Sequence, residues 1–309
     1  MFAPVAGALA ARFARLPATT RGAIFMIGSA AGFAVMMAVV RYTSRDLHPF
    51  EVAFFRNLFG AIFMLPWIVR VGRDSMTTAR IGMHAVRSLI GLASMLTFFT
   101  ALSLLPLAEV TALTFTMPLF TTLGAALFLR ETVKARRWSA TLVGLVGALI
   151  ILRPGVEALR PEAFVALAAA ALMAGAYLTV KSLARTEHPN TIVLMMGLLM
   201  TPMSLVPALF VWKMPDPHAW AWLVAMGLAA TFAQVSLTRA FAAADASAVL
   251  PFDFSRLVFV AILGYVLFGE RPDVWTWVGA GVIVASSAYI AHREAAIGRE
   301  PPHSHSHPP

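Results

Sequence analysis

The feature that most constrains this chain is a series of long apolar segments without any charge. Residues 88–108, 110–129, 163–180 and 219–238 contain no Asp, Glu, Lys or Arg. A helix needs about 20 such residues to cross the hydrocarbon core of a bilayer. Apolar residues make up 59% of the chain and charged residues 13%, against about 45–50% and about 25% in soluble domains. This composition excludes a cytosolic enzyme and a disordered chain, and the absence of cysteine excludes a disulfide scaffold.

Ten segments have the apolarity of a membrane-spanning helix, and the fifth is the shortest of them, with only 15 uncharged residues at 138–152. They are residues 22–41, 50–69, 83–103, 107–129, 137–152, 163–181, 190–212, 218–238, 246–268 and 274–292. The connections between them are short, so no soluble domain is expected between spans. The sequence therefore predicts an all-α membrane protein with ten transmembrane helices.

The distribution of positive charge predicts how these helices are oriented. If the N-terminus is cytoplasmic, the inner loops and termini hold 15 Lys and Arg residues and the outer loops hold 6. Positive residues favour the cytoplasmic side of a membrane. We therefore expect both termini in the cytoplasm. The net charge of +9 is then explained by contact with membrane lipids, and no nucleic-acid partner is expected.

The two halves of the chain repeat each other at an offset of 139 or 140 residues. The matching pairs are Arg41 and Lys181, His48-Pro49 and His188-Pro189, Glu131 and Glu270, and Trp138 and Trp277. Each half holds five predicted spans, an odd number, so the second half enters the membrane in the opposite orientation. Such five-plus-five inverted repeats are typical of secondary transporters, whose substrate site lies between the halves.

The repeats are expected at residues 22–153 and 162–292, after a cytoplasmic N-terminal segment at 1–21. A His- and Pro-rich cytoplasmic tail at 293–309 is expected to be disordered. Its three histidines have no fixed geometry, so neither a metal site nor a cofactor is predicted. Glu131 and Glu270 close the fourth and ninth spans, where each is expected to cap a helix or pair with loop arginines.

Two sequence features resemble one known family. Over residues 22–292, the ten spans, the repeat and the glutamates that close the fourth and ninth spans resemble the EamA family of the drug/metabolite transporter superfamily. The run LHPFEVAFFR at 47–56 and the run HAVR at 84–87 are similar to the bacterial S-adenosylmethionine uptake carriers within that family. In the second half, PFDFSR at 251–256 departs from this pattern at Asp253.

The resemblance implies a helical bundle in which spans 1–4 and 6–9 enclose a cavity and spans 5 and 10 are peripheral. It implies a secondary transporter for a small polar or amphipathic organic metabolite, similar to S-adenosylmethionine. The alternatives are an exporter of amino acids, riboflavin-like compounds or metallophores, and a flippase for a lipid-linked substrate. The chain lacks GxSxG, HExxH and GxxxxGK[ST] motifs, so neither an enzyme nor a primary pump is expected.

The strongest candidates for substrate binding are charged residues inside predicted spans, because burying a charge in a membrane is costly. Arg256 lies near the middle of the ninth span and Arg56 lies in the second. We expect both arginines to point into one central cavity and to bind an anionic or zwitterionic metabolite. Asp253 stands three residues before Arg256, so an internal ion pair and a substrate contact are both open for these two residues.

Further candidates are less deeply placed or uncharged. His84 and Arg87 lie near the inner end of the third span and are either substrate contacts or interfacial anchors. Glu109 and Asp253 are candidates for a proton relay, with a water-exposed rim position as the alternative for Glu109. Tyr177 and Gln234, like Asn57, are candidates for hydrogen bonds to substrate or to a neighbouring helix.

Small residues spaced four apart also mark two spans, Gly28 with Gly32 and Gly144 with Ala148. They indicate close helix packing and leave a homodimer contact open.

Overall fold

The computed structural model describes residues 16–71, 78–128, 135–152, 161–183, 186–187, 189–244 and 252–297. All regular structure in these ranges is helical. The helices are α1 Ala18–Thr43, α2 Pro49–Val71, α3 Ile81–Leu104, α4 Leu107–Thr114, α5 Met117–Phe128, α6 Ala135–Leu152, α7 Pro161–Leu183, α8 Pro189–Leu209, α9 Pro217–Ala243, α10 Ser255–Phe268 and α11 Val274–Ile297.

The outward surfaces of these helices are apolar. On α6, the side chains of Leu142, Val143, Leu145, Val146 and Leu149 are each at least 44% exposed. Within the described ranges, four helices are long and apolar enough to cross a bilayer, namely α1, α3, α7 and α9. Water would penalise so large an exposed apolar surface, and lipid would not. The protein is therefore an all-helical integral membrane protein.

One predicted helix is divided in the structure. The segment 107–129 forms α4 and α5, separated at Phe115 and Thr116. Pro118 explains the break, because it has no N–H to donate to the carbonyl of Thr114 four residues earlier. The hydroxyl of Thr116 donates to the carbonyl of Leu113 at 2.6 Å.

The last helix is longer than the sequence pattern predicts. α11 continues to Ile297, through residues that were assigned to the tail. These residues include Arg, Glu and Ala, which are strong helix formers and need no burial to extend a helix. Glu131, His188 and the three histidines of the tail lie outside the described residues, as do the side chains of Trp138 and Lys181.

The most extensive helix contacts join the two halves of the chain. α1 packs against α9, α3 against α7, and α6 against α11, while α2 contacts both α8 and α9. Gly32 permits the close approach of α1 to α9, because a Cβ atom there would lie 3.0 Å from the Cβ of Ala233. The buried core formed by these contacts includes Met37, Phe55 and Met226.

Candidate functional site

A cavity of about 360 Å³ lies between α2, α8 and α9. Its volume is within the range of small-molecule pockets. Most of its wall is apolar, and the polar lining groups are Arg56, Asn57, Thr201, Thr231 and Gln234. Gly60 and Gly197 widen the cavity from two sides, since no atom lies within 4 Å of the place a Cβ would occupy at either position.

The spacing of the lining residues follows from helix geometry. On α9, Gln234 stands three residues after Thr231 and four after Ala230, so all three lie on one side of the helix. Leu65 of α2 and Leu198 of α8 also line the cavity, and they are 51% and 49% exposed. The cavity is therefore open at the seam between these two helices, where the neighbouring medium is lipid.

Arg56 is the charged group of this cavity. Its Nη1 donates a hydrogen bond to Oδ1 of Asn57 at 3.1 Å. None of the ion pairs between described residues includes Arg56. The Nδ2 of Asn57 is buried and has no hydrogen-bond partner among the described residues. A positive charge and an amide donor thus lie together at the cavity wall with bonding capacity to spare.

Glu51, five residues earlier on α2, does not neutralise Arg56. Its carboxylate is fully buried, and it accepts hydrogen bonds from the backbone N–H of Lys213 at 2.7 Å and of His48 at 3.2 Å. Glu51 therefore fastens the start of α2 to the segment after α8. This role leaves the charge of Arg56 available to a ligand.

Arg256 and Asp253 form an ion pair with each other. The guanidinium of Arg256 also lies over the ring of Phe33, 4.9 Å from its centroid, so it faces α1. Arg256 is not among the residues that line the cavity. Of the two arginines expected to share a cavity, the structure places only Arg56 on this one, because the neighbouring carboxylate and ring already hold Arg256.

The other candidate residues are dispersed. Gln234 lines the cavity, whereas Tyr177 lies on α7 with 57% of its surface exposed. His84 is fully buried, with Nε2 3.9 Å from Oε2 of Glu187. Arg87 donates from Nη2 to the sulfur of Met196 at 2.9 Å. Glu109 lies in the first turn of α4 and does not line the cavity.

Glu270 joins the end of α1 to the start of α4. Its Oε1 lies 2.6 Å from Nε of Arg41, and its Oε2 accepts a hydrogen bond from the N–H of Leu107, the first residue of α4, at 2.8 Å. Arg41 also donates to the carbonyl oxygens of Leu102, at 2.9 Å, and Leu105. Glu270 thus caps a helix of the other half and pairs with an arginine.

The lining residues that sequence reasoning missed include Met196, Thr201 and Thr231. The repeat contained a signal for the first, because Met196 stands 140 residues after Arg56. Thr201 and Thr231 gave no signal, since a threonine in an apolar helix commonly bonds its own backbone. Thr201 does this, donating to the carbonyl of Gly197 at 2.8 Å.

The family model of the EamA-like transporter family matches residues 20–153 and again residues 160–291. The chain belongs to this family. A riboflavin transporter of Vibrio cholerae is 34% identical over 284 residues, which cover 90% of this chain and 95% of the relative. An S-adenosylmethionine uptake transporter of Rickettsia bellii is 32% identical, covering 82% of this chain and 87% of the relative.

A pseudopaline exporter of Pseudomonas aeruginosa is also similar, at 29% identity over 86% of this chain and 94% of the relative. A solved structure described only as a crystal structure of a protein superposes with a TM-score of 0.61 at 19% identity, covering 91% of this chain and 99% of its own. That structure shows a shared fold. As a member of the EamA-like transporter family, the protein moves a small molecule across a membrane.

Proposed function

We propose that this protein is a secondary transporter of the bacterial inner membrane that carries an amphipathic organic metabolite through the cavity between α2, α8 and α9. The observation that carries the proposal is the composition of the cavity wall. The guanidinium of Arg56, which forms no ion pair with a described residue, stands beside the amides of Asn57 and Gln234, and the remaining wall is almost entirely apolar. Such a site fits a ligand with a polar, hydrogen-bond-accepting end and a planar or apolar body.

Riboflavin and S-adenosylmethionine, the substrates in the names of two relatives, both combine a polar part with a heterocycle. We favour riboflavin as the first substrate to test, because the apolar wall suits a large flat ring better than a charged sulfonium. The opening between Leu65 and Leu198 favours an amphipathic ligand over a small polar amino acid. A metallophore exporter or a lipid-linked flippase remains the alternative for such an opening.

We further propose ten spans in a five-plus-five inverted repeat with both termini cytoplasmic. The helix pairing supports it: α1 with α9 and α7 with α3 are each the first helix of one half against the third of the other. Phe115 and Phe254, 139 residues apart, contact each other with ring centroids 5.2 Å apart. A twofold axis in the membrane plane would bring equivalent residues together in this way.

Contacts between α6 and α11 follow the same offset. A Cβ atom on Gly144 would lie 3.1 Å from Oγ of Ser286, and one on Gly147 would lie 2.8 Å from Cγ1 of Ile283. Adding 139 to the number of Gly144 gives Ile283, and subtracting 139 from the number of Ser286 gives Gly147, so exchanging the two halves converts one pair into the other. The agreement of two independent contacts with the sequence offset supports the exchange of the two halves about one axis.

The test is uptake of labelled riboflavin and S-adenosylmethionine into proteoliposomes, with and without a proton gradient. Arg56→Leu should lose about tenfold or more of the transport, since a hydrogen bond to a charged group contributes about 1.5–3 kcal/mol, and Arg56→Lys should retain part of it. Arg271→Leu is the matched control, because Arg271 is exposed and stacks on Tyr265 away from the cavity. Full transport by folded Arg56→Leu protein would refute the assignment of this cavity.

A further inference from the structure

Arg87 of α3 reaches the back of the cavity wall. Its Nη2 donates to the sulfur of Met196 at 2.9 Å, and Met196 of α8 is itself one of the residues that line the cavity. Arg87 is not a lining residue. A single methionine side chain therefore separates a guanidinium group from the space in which we place the ligand.

Arg87 is poorly satisfied where it lies. Its Nε and Nη1 atoms are buried and have no hydrogen-bond partner among the described residues. A thioether sulfur is a weak acceptor, whereas a guanidinium offers five N–H donors. None of the ion pairs between described residues includes Arg87. A buried cation in this state gains from any stronger acceptor that can reach it.

The neighbouring residues of α3 add further buried polar atoms without partners. Both ring nitrogens of His84 and the hydroxyl of Ser88 are buried and lack hydrogen-bond partners within the described ranges. The nearby carboxylate of Glu187 lies 3.9 Å from His84 and accepts a hydrogen bond from the Thr78 hydroxyl at 2.7 Å. The carboxylate is thus engaged by Thr78 and His84, and the Met196 sulfur remains the acceptor that the described residues offer to the Arg87 guanidinium.

The separating residue is one that moves easily. Methionine is unbranched and has three rotatable bonds in its side chain, so it adapts to different packing. The adjacent Gly197 has no atom within 4 Å of the position of a Cβ, which leaves free space beside Met196. Rotation of this one side chain exposes Arg87 to the cavity without moving a helix.

We infer that Arg87 is a second, concealed binding residue of the cavity, reached when Met196 rotates aside, and that it binds an anionic or carbonyl group at the far end of the ligand held by Arg56. The use of this residue in transport rests on the proposed function. Arg56 and Met196 each stand seven residues after the first residue of their helices, Pro49 and Pro189.

Because the proposed repeat runs α2 and α8 in opposite directions, the two helices begin at opposite faces of the membrane. At a rise of about 1.5 Å per residue, each of the two residues lies about 10 Å along its own helix. Across a hydrocarbon core about 30 Å thick, the two positions are then on the order of 10 Å apart along the membrane normal. The substrate class is therefore an elongated metabolite with acceptor groups at both ends. A compact ligand with one acceptor group would engage Arg56 and leave Met196 in place.

The chain contains no cysteine, so one introduced thiol is a unique probe. In Met196→Cys, an anionic sulfonatoethyl methanethiosulfonate should react faster than a cationic trimethylammonioethyl methanethiosulfonate, on the order of tenfold after normalisation to a free thiol, because the adjacent cation attracts the anionic reagent. The preference should disappear when Arg87→Gln or Arg87→Met is added, and persist with Arg87→Lys. The ratio of the two rates cancels any change in the ionisation of the thiol.

Thr201→Cys is the matched control, since Thr201 lines the same cavity from the same helix and its reagent preference should not depend on residue 87. Equal reactivity of the two reagents at position 196, unchanged by Arg87→Gln or Arg87→Met, would overturn the inference and leave the cavity assignment intact. Failure of both thiols to react would refute the open cavity and, with it, both proposals.

Riboflavin serves as the probe for the two-ended ligand. At saturating concentration it should slow modification of Met196→Cys at least about tenfold with Arg87 present and much less with Arg87→Gln. Equal protection in both backgrounds would refute contact between the ligand and Arg87. Absence of protection in both, together with an intact reagent preference, would refute riboflavin as the ligand while supporting the exposure of Arg87.

Discussion

The contact between α6 and α11 makes a quantitative prediction, because two glycines there leave no room for a methyl group. A Cβ atom on Gly279 would lie 2.6 Å from the carbonyl oxygen of Gly147 and 2.5 Å from Cγ1 of Ile151. The backbone oxygen cannot rotate away, so Gly279→Ala must push the helices apart. Overpacking of this kind costs about 1–3 kcal/mol.

Gly281→Ala is the matched control on the same helix. No atom lies within 4 Å of a Cβ at Gly281, so this change carries only the gain in helix propensity, up to about 1 kcal/mol. Gly279→Ala has the same gain plus the clash, and the difference between the two variants therefore measures the clash alone. At roughly 2 °C per kcal/mol for a chain of this size, Gly279→Ala should melt about 2–6 °C below Gly281→Ala.

The assay is thermal unfolding in detergent at one fixed heating rate, because membrane proteins commonly unfold irreversibly. Gly147→Ala should behave like Gly279→Ala, since its Cβ would lie 2.9 Å from the carbonyl oxygen of Gly279. The double variant should cost less than the sum, because the first change has already separated the helices. Equal melting temperatures for Gly279→Ala and Gly281→Ala would refute the close crossing of α6 and α11.

Two further predictions concern the helix ends and the orientation. Glu270→Gln keeps an acceptor for the N–H of Leu107 but leaves Arg41 without its counter-charge. We therefore expect thermal unfolding to show a loss of stability of about 1–3 kcal/mol, below the cost of breaking a fully buried pair. Recovery of stability in the double variant Glu270→Gln with Arg41→Gln would assign the loss to the ion pair, and unchanged stability of the single variant would contradict it. Reporter fusions should read outside at residues 46, 155 and 214 and inside at 76, 134 and 186, and a general reversal would overturn the proposed topology.

The sequence was sufficient to predict where the helices lie along the chain, but not which face of each helix packs against its neighbours. Every apolar segment that hydropathy marks overlaps a helix of the structure, because the length of a segment and its lack of charge can be read directly from the sequence. Tyr177 shows the limit: α7 is apolar around its whole circumference, so nothing in the sequence distinguishes its exposed face from its packed one. Pro118 indicates a break near Thr116, but a proline alone does not determine one, since Pro202 and Pro207 lie inside α8 without dividing it.

The candidate site was predictable to the same partial extent. Arg56 and Arg256 were both chosen because burying a charge in a membrane is costly. A ligand, a neighbouring carboxylate or an aromatic ring can each stabilise such a charge. Only the positions of Asp253 and Phe33 show which of these Arg256 uses. The role of Met196 depends on its contact with Arg87, which lies 109 residues away in the chain and has no counterpart in local sequence patterns.

The contact between Phe115 and Phe254 has an evolutionary consequence. If the two halves descend from one ancestral five-helix chain that assembled as an antiparallel pair, these two phenylalanines were once the same residue meeting its own copy. Any substitution there would have changed both sides of the contact at once, doubling its effect on packing. After fusion of the two copies, each side became free to change alone, so this position records how far the halves have diverged. The two aromatic rings still meet edge to face. Next to them, Asp253 and Arg256 stand where the first half has Thr114 and Met117.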